Sequence, residues 1–315
     1  MKRYNTNVLE APEGYTFDVS EGKNGVMRVR LIPLTIATEC SENDAKPIST
    51  SDTDYYGDYT NPPIPEGWKH IEGEWNNGFV IQDSKGNQFV WVPVGFLDSD
   101  GTIDGTNFSE KFGRRSYWFQ IFSDSEFNEK MDEELRMQWE SVKKYGGFYI
   151  SRYNISKSKT GKAQSVQGQM PWITNHWVDA KKIAKTFGNG VTVTSHLPFG
   201  AEYDSTLMWF LKSGARTEEE IWEYSTEWGN YWDTKDSPQE LVETGTRDEW
   251  ATNHIYDFAG NVTEWTQEHH GTSCRARRGG GCYDHGYSSP AGGRCRDTIT
   301  SPWDYIGFRA VLYIA

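Results

Sequence analysis

The spacing of apolar positions changes several times along the chain, and each change predicts an element. Residues 78–94, GFVIQDSKGNQFVWVPV, place two apolar runs around a polar turn containing Gly86, the pattern of a β-hairpin closed by Pro93. From Ser123 to Lys144 the period becomes helical, with Phe127, Met131, Leu135, Gln138, Trp139 and Val142 at three- and four-residue steps. Ser123 with Glu126 reads as a capping box, Lys143 and Lys144 fall in the last turn, and Gly146 supplies the stop. Residues 147–156, GFYISRYNIS, alternate as a half-buried strand. A second helix is predicted from about Val178 to Phe187, with Ala180, Ile183, Ala184 and Phe187 on one face and Gly188-Asn189-Gly190 ending it. A third follows His196 to Gly200 and turns Tyr203, Leu207, Phe210 and Leu211 inward; Thr217 with Glu220 opens a short fourth.

Beyond about Trp228 the regular periods give way to short strands in long loops. Arg275 to Arg277 and Gly307 to Tyr313 read as strands, the latter returning to the first hairpin. Helices followed by a loop-rich β region predict an α+β domain with its ends close together. Residues 1–62 differ. Val26 to Ile36, VMRVRLIPLTI, reads as a strand pair, and the Pro-, Ser-, Thr- and Asp-rich tract after it reads as a linker. The expected division is a small N-terminal module or arm over 1–62 and one domain over 63–315.

Composition narrows the kind of core. Of 315 residues 36% are hydrophobic but 15% are aromatic, including 14 Trp, so a few large rings replace many aliphatics. A net charge of -13 disfavours nucleic acid and anionic membrane surfaces as partners. The four cysteines, Cys40, Cys274, Cys282 and Cys295, contain no C-x-x-C, which argues against a zinc ribbon. No apolar leader and no run of spanning length is visible, so a chain made in the cytoplasm without membrane insertion is expected.

The C-terminal segment from Arg278 to Arg309 is punctuated by Arg278-Gly279-Gly280, Pro290-Ala291-Gly292, Arg294, Pro302 and Gly307-Phe308-Arg309. Between these points lie Tyr, Asp, His, Ser, Gly, Cys and Trp without period. Rigid Gly and Pro holding Tyr, Ser and Gly is the composition of a paratope, which points to a binding surface.

Seven ordered blocks carry a resemblance: Trp91-Val-Pro93, Phe148 to Tyr153, Trp177 to Ala180, Leu197 to Tyr203, Gly260 to Trp265, Arg278-Gly-Gly280 and Gly307-Phe-Arg309. The chain resembles the formylglycine-generating-enzyme (sulfatase-modifying factor) domain, which implies an α+β, loop-rich C-type lectin-like fold with short strands and a few helices. Leu-Pro-Phe-Gly at 197–200 and Thr263 depart from the family, which usually has Leu-Pro-Thr-Glu and an aromatic there. Enzymes of the family bind copper through two cysteines five residues apart; those places fall near Asp284 and Ser289 here. Cys282 and Cys295 are thirteen apart, and the seven histidines show no facial-triad spacing.

The frame is more similar to a second branch, the variable proteins of diversity-generating retroelements, whose C-terminal segment is altered at adenine-containing codons. The resemblance assigns ligand binding to Cys282, Tyr283, Asp284, His285, Tyr287, Ser288, Ser289, Gly293, Cys295, Asp297, Trp303, Asp304 and Tyr305, with Trp303 as a fixed platform because it does not arise readily from an Asn codon. The resemblance to the enzyme branch implies a structural calcium site on Asp257, Gly260, Val262 and Glu264; the simpler reading is that Asn261 and Glu264 tie the loop down. The expected function is a phage or bacterial display protein that is not an enzyme. It would bind a protein or glycan ligand on a cell surface, attached to a particle or self-associated through its first 60 or so residues. The rival readings are an oxidative enzyme of the formylglycine-generating class and a structural virion protein without diversification.

Overall fold

The computed structural model describes residues 15–21, 27–33, 58–97, 133–173, 176–270, 273–300 and 305–315. The chain divides into two compact units, Met1–Lys46 and Pro47–Ala315. In the first, β1 (Tyr15–Glu21) pairs antiparallel with β2 (Met27–Pro33), Tyr15 facing Pro33 and Glu21 facing Met27. The expectation that Val26 to Ile36 forms both strands of a pair is therefore wrong. Met27 to Pro33 is one unbroken strand, whereas Asn24-Gly25 just before it is a strong hairpin signal between two alternating runs.

The second unit contains, in order, β3 (Trp68–Glu72), β4 (Val80–Asp83), β5 (Gln88–Val92), α1 (Glu133–Tyr145), β6 (Phe148–Ser151), β7 (Ser156–Lys157), β8 (Ala163–Gln164), α2 (Trp177–Ala184), β9 (Val193–His196), α3 (Gly200–Lys212) and α4 (Glu218–Trp222). It continues with β10 (Ala251–Thr252), β11 (Ile255–Tyr256), β12 (Thr263–His270), β13 (Cys274–Arg278), β14 (Cys295–Thr298), β15 (Ile306–Phe308) and β16 (Val311–Ile314). One sheet has the order β3-β4-β5-β6-β16-β9, and a second has the order β14-β13-β12-β15. The expected hairpin is β4 and β5, Val80 facing Val90. The last stretch, expected as one strand, is two: β15 runs parallel to β12, and β16 crosses to the other sheet between β6 and β9. Arg309 sits at the break, and its buried guanidinium fixes the corner.

Helix α1 buries Leu135, Gln138, Val142 and Tyr145 and ends at Gly146, whose φ of +83° is open to glycine at little cost. The expected start of that helix, residues 123–132, lies outside the described residues. Helix α2 stops at Ala184, three residues before the expected end, and Phe187 instead meets Phe89 edge-on at 5.4 Å. Helix α3 is buried on nearly all sides, as a central helix should be, with Glu202 accepting the Phe199 N–H at 2.8 Å and the His196 ring nitrogen at 2.7 Å. Trp91, Trp209, Trp228, Trp250 and Trp265 are fully buried, so the core is the ring-built one that composition implied.

Candidate binding surface

The arginines of the C-terminal frame hold the surface from beneath. Arg278 ends β13 and points under the loop that follows it. Its guanidinium lies 2.7 Å from Asp204 on α3 and 3.2 Å from Glu268 on β12, and Nε donates to the Gly293 carbonyl at 2.9 Å. Arg294 meets the same two carboxylates, pairing with Asp204 and standing 2.9 Å from Glu268. Two guanidiniums and two carboxylates, all almost fully buried, thus form a neutral quartet. Arg309 donates to Glu264 at 2.7 Å, to the Ser151 carbonyl at 3.1 Å and to the Tyr256 carbonyl. Pro290-Ala291-Gly292 docks on α4: the Gly292 N–H donates to Ile221 at 2.8 Å, and a Cβ on Gly292 would stand 1.9 Å from the Trp222 ring.

Above this frame the candidate ligand-binding residues separate. Tyr283 is 61% exposed and Tyr287 47%. Asp284, His285, Ser288, Ser289, Cys295, Asp297 and Tyr305 are partly exposed. Cys282 and Gly293 are buried, which corrects their assignment to the solvent-facing set: the Cys282 N–H is tied to the Asn261 carbonyl at 3.0 Å, and Gly293 lies over Arg278. Trp303 and Asp304 lie outside the described residues. Asp297 is engaged by Arg277 at 2.7 Å, and the Arg277 guanidinium lies 5.7 Å from the Tyr305 ring centre.

Tyr283, Asp284, Cys282 and Tyr305 wall a cavity of about 260 Å³ whose remaining lining includes Thr263, Arg277, Ile173 and Leu241. Thr263 stands where an aromatic is usual in the resemblance noted above, and its small side chain lines this space. Burial pushes the Asp284 carboxyl above its ordinary range, with Arg277 pulling the other way. Burial also pushes the Cys282 thiol up to about 11, so it is a thiol at neutral pH. Asp284 and Ser289 line one further cavity of about 10 Å³, room for a single water. The two places expected for a copper-binding cysteine pair are therefore brought together, but they carry a carboxylate and a hydroxyl where copper(I) favours soft thiolates.

A family model described as the sulfatase-modifying factor enzyme 1-like domain matches residues 80–314, three quarters of the chain. The chain belongs to this family. The two-sheet, loop-rich α+β architecture is the C-type lectin-like fold of the sulfatase-modifying factor domain. Among solved structures, similarity extends to PvdO from Pseudomonas aeruginosa, at 15% identity over 53% of this chain and 81% of that one, TM-score 0.38. Treponema denticola variable protein 1 is 20% identical over 50% of this chain and 53% of that one, TM-score 0.28. The Major Tropism Determinant U1 variant is 13% identical over 54% of this chain and 52% of that one, TM-score 0.34. The chain spans about half the length of the latter two. No curated protein sequence matches it.

Within the sulfatase-modifying factor domain, the loop proposed for calcium is held by its own side chains. Asp257 Oδ2 accepts from Thr244 Oγ1 at 2.7 Å and from the Gly245 N–H at 2.8 Å, while Glu264 Oε1 accepts from Asn154 at 2.6 Å and from Arg309. Asn261 bonds both the N–H and the carbonyl of Val242, each at 3.1 Å, so the loop-tying contacts are present. Asp257 Oδ1 and Glu264 Oε2 are nonetheless buried without a hydrogen-bond partner. Burial pushes Asp257 up and Glu264 up to about 7, Arg309 opposing the second shift. Two orphaned hard oxygens fit a calcium ion, which Gly260 and Val262 would join through their carbonyls; such an ion would neutralise the buried carboxylates and brace the loop. Among the described residues no cluster of three or more His, Cys, Asp or Glu is placed to hold a metal.

Two sets of residues escaped the sequence reading. Asp204 and Glu268, the carboxylates of the quartet, sit among 45 acids with no local mark. Tyr224 and Trp232, 48% and 44% exposed, lie outside the punctuated segment, and no local pattern marks them.

Proposed function

We propose that this protein is a ligand-binding display protein whose C-terminal segment, 278–309, is diversified by a retroelement and binds protein or glycan ligands on a cell surface. The supporting observation is the division of labour within one segment. Arg278, Arg294 and Arg309 are buried and tied to distant carboxylates and carbonyls, while Tyr283, His285, Tyr287 and Ser288 reach solvent from the loops between them. Side chains that reach solvent with only local contacts can change more freely than side chains in a buried ion network. Exposed Tyr on a rigid loop supplies large contact area at low entropic cost. In this reading the protein is a binder and not an enzyme, because Asp284 and Ser289 occupy the places of the metal-binding cysteines. The N-terminal unit attaches it to a phage or bacterial particle or mediates self-association, so that many weak contacts act together. Among the described residues no helix is long and apolar enough to cross a membrane.

The test is differential randomisation. Libraries varied at Tyr283, His285, Tyr287 and Ser288 are expected to remain folded in most members, whereas libraries varied at Arg278, Arg294 and Arg309 lose folded protein. Equal tolerance at the two sets defeats the reading. Beside the gene, a reverse transcriptase and a near-copy of the 3′ coding end differing at adenines are expected; their absence removes diversification. Copper-dependent oxygen consumption with a Cys-containing peptide would replace the binder with an oxidative enzyme.

A further inference from the structure

The four large aromatic side chains exposed among the described residues, Tyr224, Trp232, Tyr283 and Tyr287, lie on two segments bonded to each other. Only the last two belong to the punctuated segment. The other two come from residues 224–233, which are laced to it. The Trp232 N–H donates to the Asp284 carbonyl at 2.9 Å, and the Ser225 N–H donates to the Gly286 carbonyl at 3.1 Å. Asp233 accepts the Gly286 N–H at 2.9 Å. The Tyr224 ring stacks on Tyr287 at 6.4 Å, and His285 lies 5.2 Å from Tyr287 on the variable loop.

The exposed charge on the loop that carries two of these rings is mostly negative. From Glu223 to Glu240 the exposed charged residues are Glu223, Glu227, Asp236 and Glu240 against Lys235 alone. Clustered rings that remain open to solvent mark an interaction site. Electron-rich faces within an acidic rim favour Lys and Arg, through cation–π contact and rim ion pairs.

We propose that Tyr224 and Trp232 are constant anchors of the binding surface, and that the surface takes the basic face of a protein partner. The inference rests on the binding function proposed above and adds residues outside the diversified segment. Every variant would share the two rings and the acidic rim, while Tyr283, His285 and Tyr287 tune which basic surface fits.

The test uses the full chain with Tyr283, His285, Tyr287 and Ser288 randomised, once with the natural Tyr224 and Trp232 and once carrying Y224A and W232A. Both libraries are selected against lysozyme, a basic protein, and ovalbumin, an acidic one. Binders to lysozyme from the natural background are expected, each weakened about tenfold or more when W232A is introduced, at an unchanged melting temperature. Their affinity should fall with added salt. Equal binders from both backgrounds overturn the anchor role and leave the binding function standing. Binders to ovalbumin as frequent as those to lysozyme overturn the preference for basic partners. No binder from either background overturns this inference together with the function it rests on.

Discussion

At the residue scale the decisive feature is the quartet of Arg278, Arg294, Asp204 and Glu268. Its members are buried, and each charge has two opposite neighbours, so removing one strands a charge in the interior. Glu268→Gln is expected to cost about 3–5 kcal/mol, read by denaturant unfolding. A loss below about 1 kcal/mol would show that Asp204, with the Gly292 and Gly293 carbonyls on Arg278, suffices to hold the two guanidiniums without the Glu268 charge. The arginines were legible because they recur within a Gly- and Pro-rich frame. Their partners were not: Asp204 lies 74 residues from Arg278 and 90 from Arg294, and no local period encodes such a pairing. Glu264 gives a second residue-scale prediction. Burial lifts its folded-state pKa from the ordinary 4.5 to about 7. The folded chain therefore binds this proton more tightly than the unfolded one, so the stabilisation is complete below about 4.5 and is lost as pH rises through about 7. Relative to Glu264→Gln, the natural protein should lose melting temperature between those limits in the presence of a chelator. Calcium binds the ionised carboxylate, so millimolar Ca²⁺ should restore the loss at pH above 7; no shift there would remove the ion from the loop.

At the element scale, local pattern served well wherever one face of an element is buried against one neighbour. Hairpin β4–β5, helix α1 and the Thr217–Glu220 capping box all follow their sequence signals, the last with Glu220 N–H to Thr217 Oγ1 at 3.2 Å. Pattern failed where an element changes partner midway. Gly307 to Tyr313 looks like one strand because its apolar residues continue across Arg309-Ala310, yet the sheet changes there. The short α4 matters beyond its length, because Trp222 supplies the floor on which Gly292 rests. Gly292→Ala is expected to destabilise by about 1–3 kcal/mol, since the ring and the loop cannot both keep their places. An unchanged unfolding midpoint would mean that the Pro290-Ala291-Gly292 contact adjusts freely and does not set the loop.

At the scale of the whole molecule, a net charge of -13 and an acidic aromatic face point the same way, toward partners of opposite sign. The fold class and the punctuated segment were legible in the sequence. The proposed extension of the binding face to Tyr224 and Trp232 was not, because their segment is joined to the loop at 284–286 by backbone bonds across more than fifty residues. The order of strands carries one more consequence. Strand β16 is synthesised after the whole segment 278–309, yet it lies inside the six-stranded sheet, between β6 and β9. A premature stop or frameshift anywhere in that segment removes an interior strand and leaves two unpaired edges. Folding of the six-stranded sheet thus requires translation to have passed intact through residues 278–309, so the sheet acts as an inspection step for the segment that precedes its last strand.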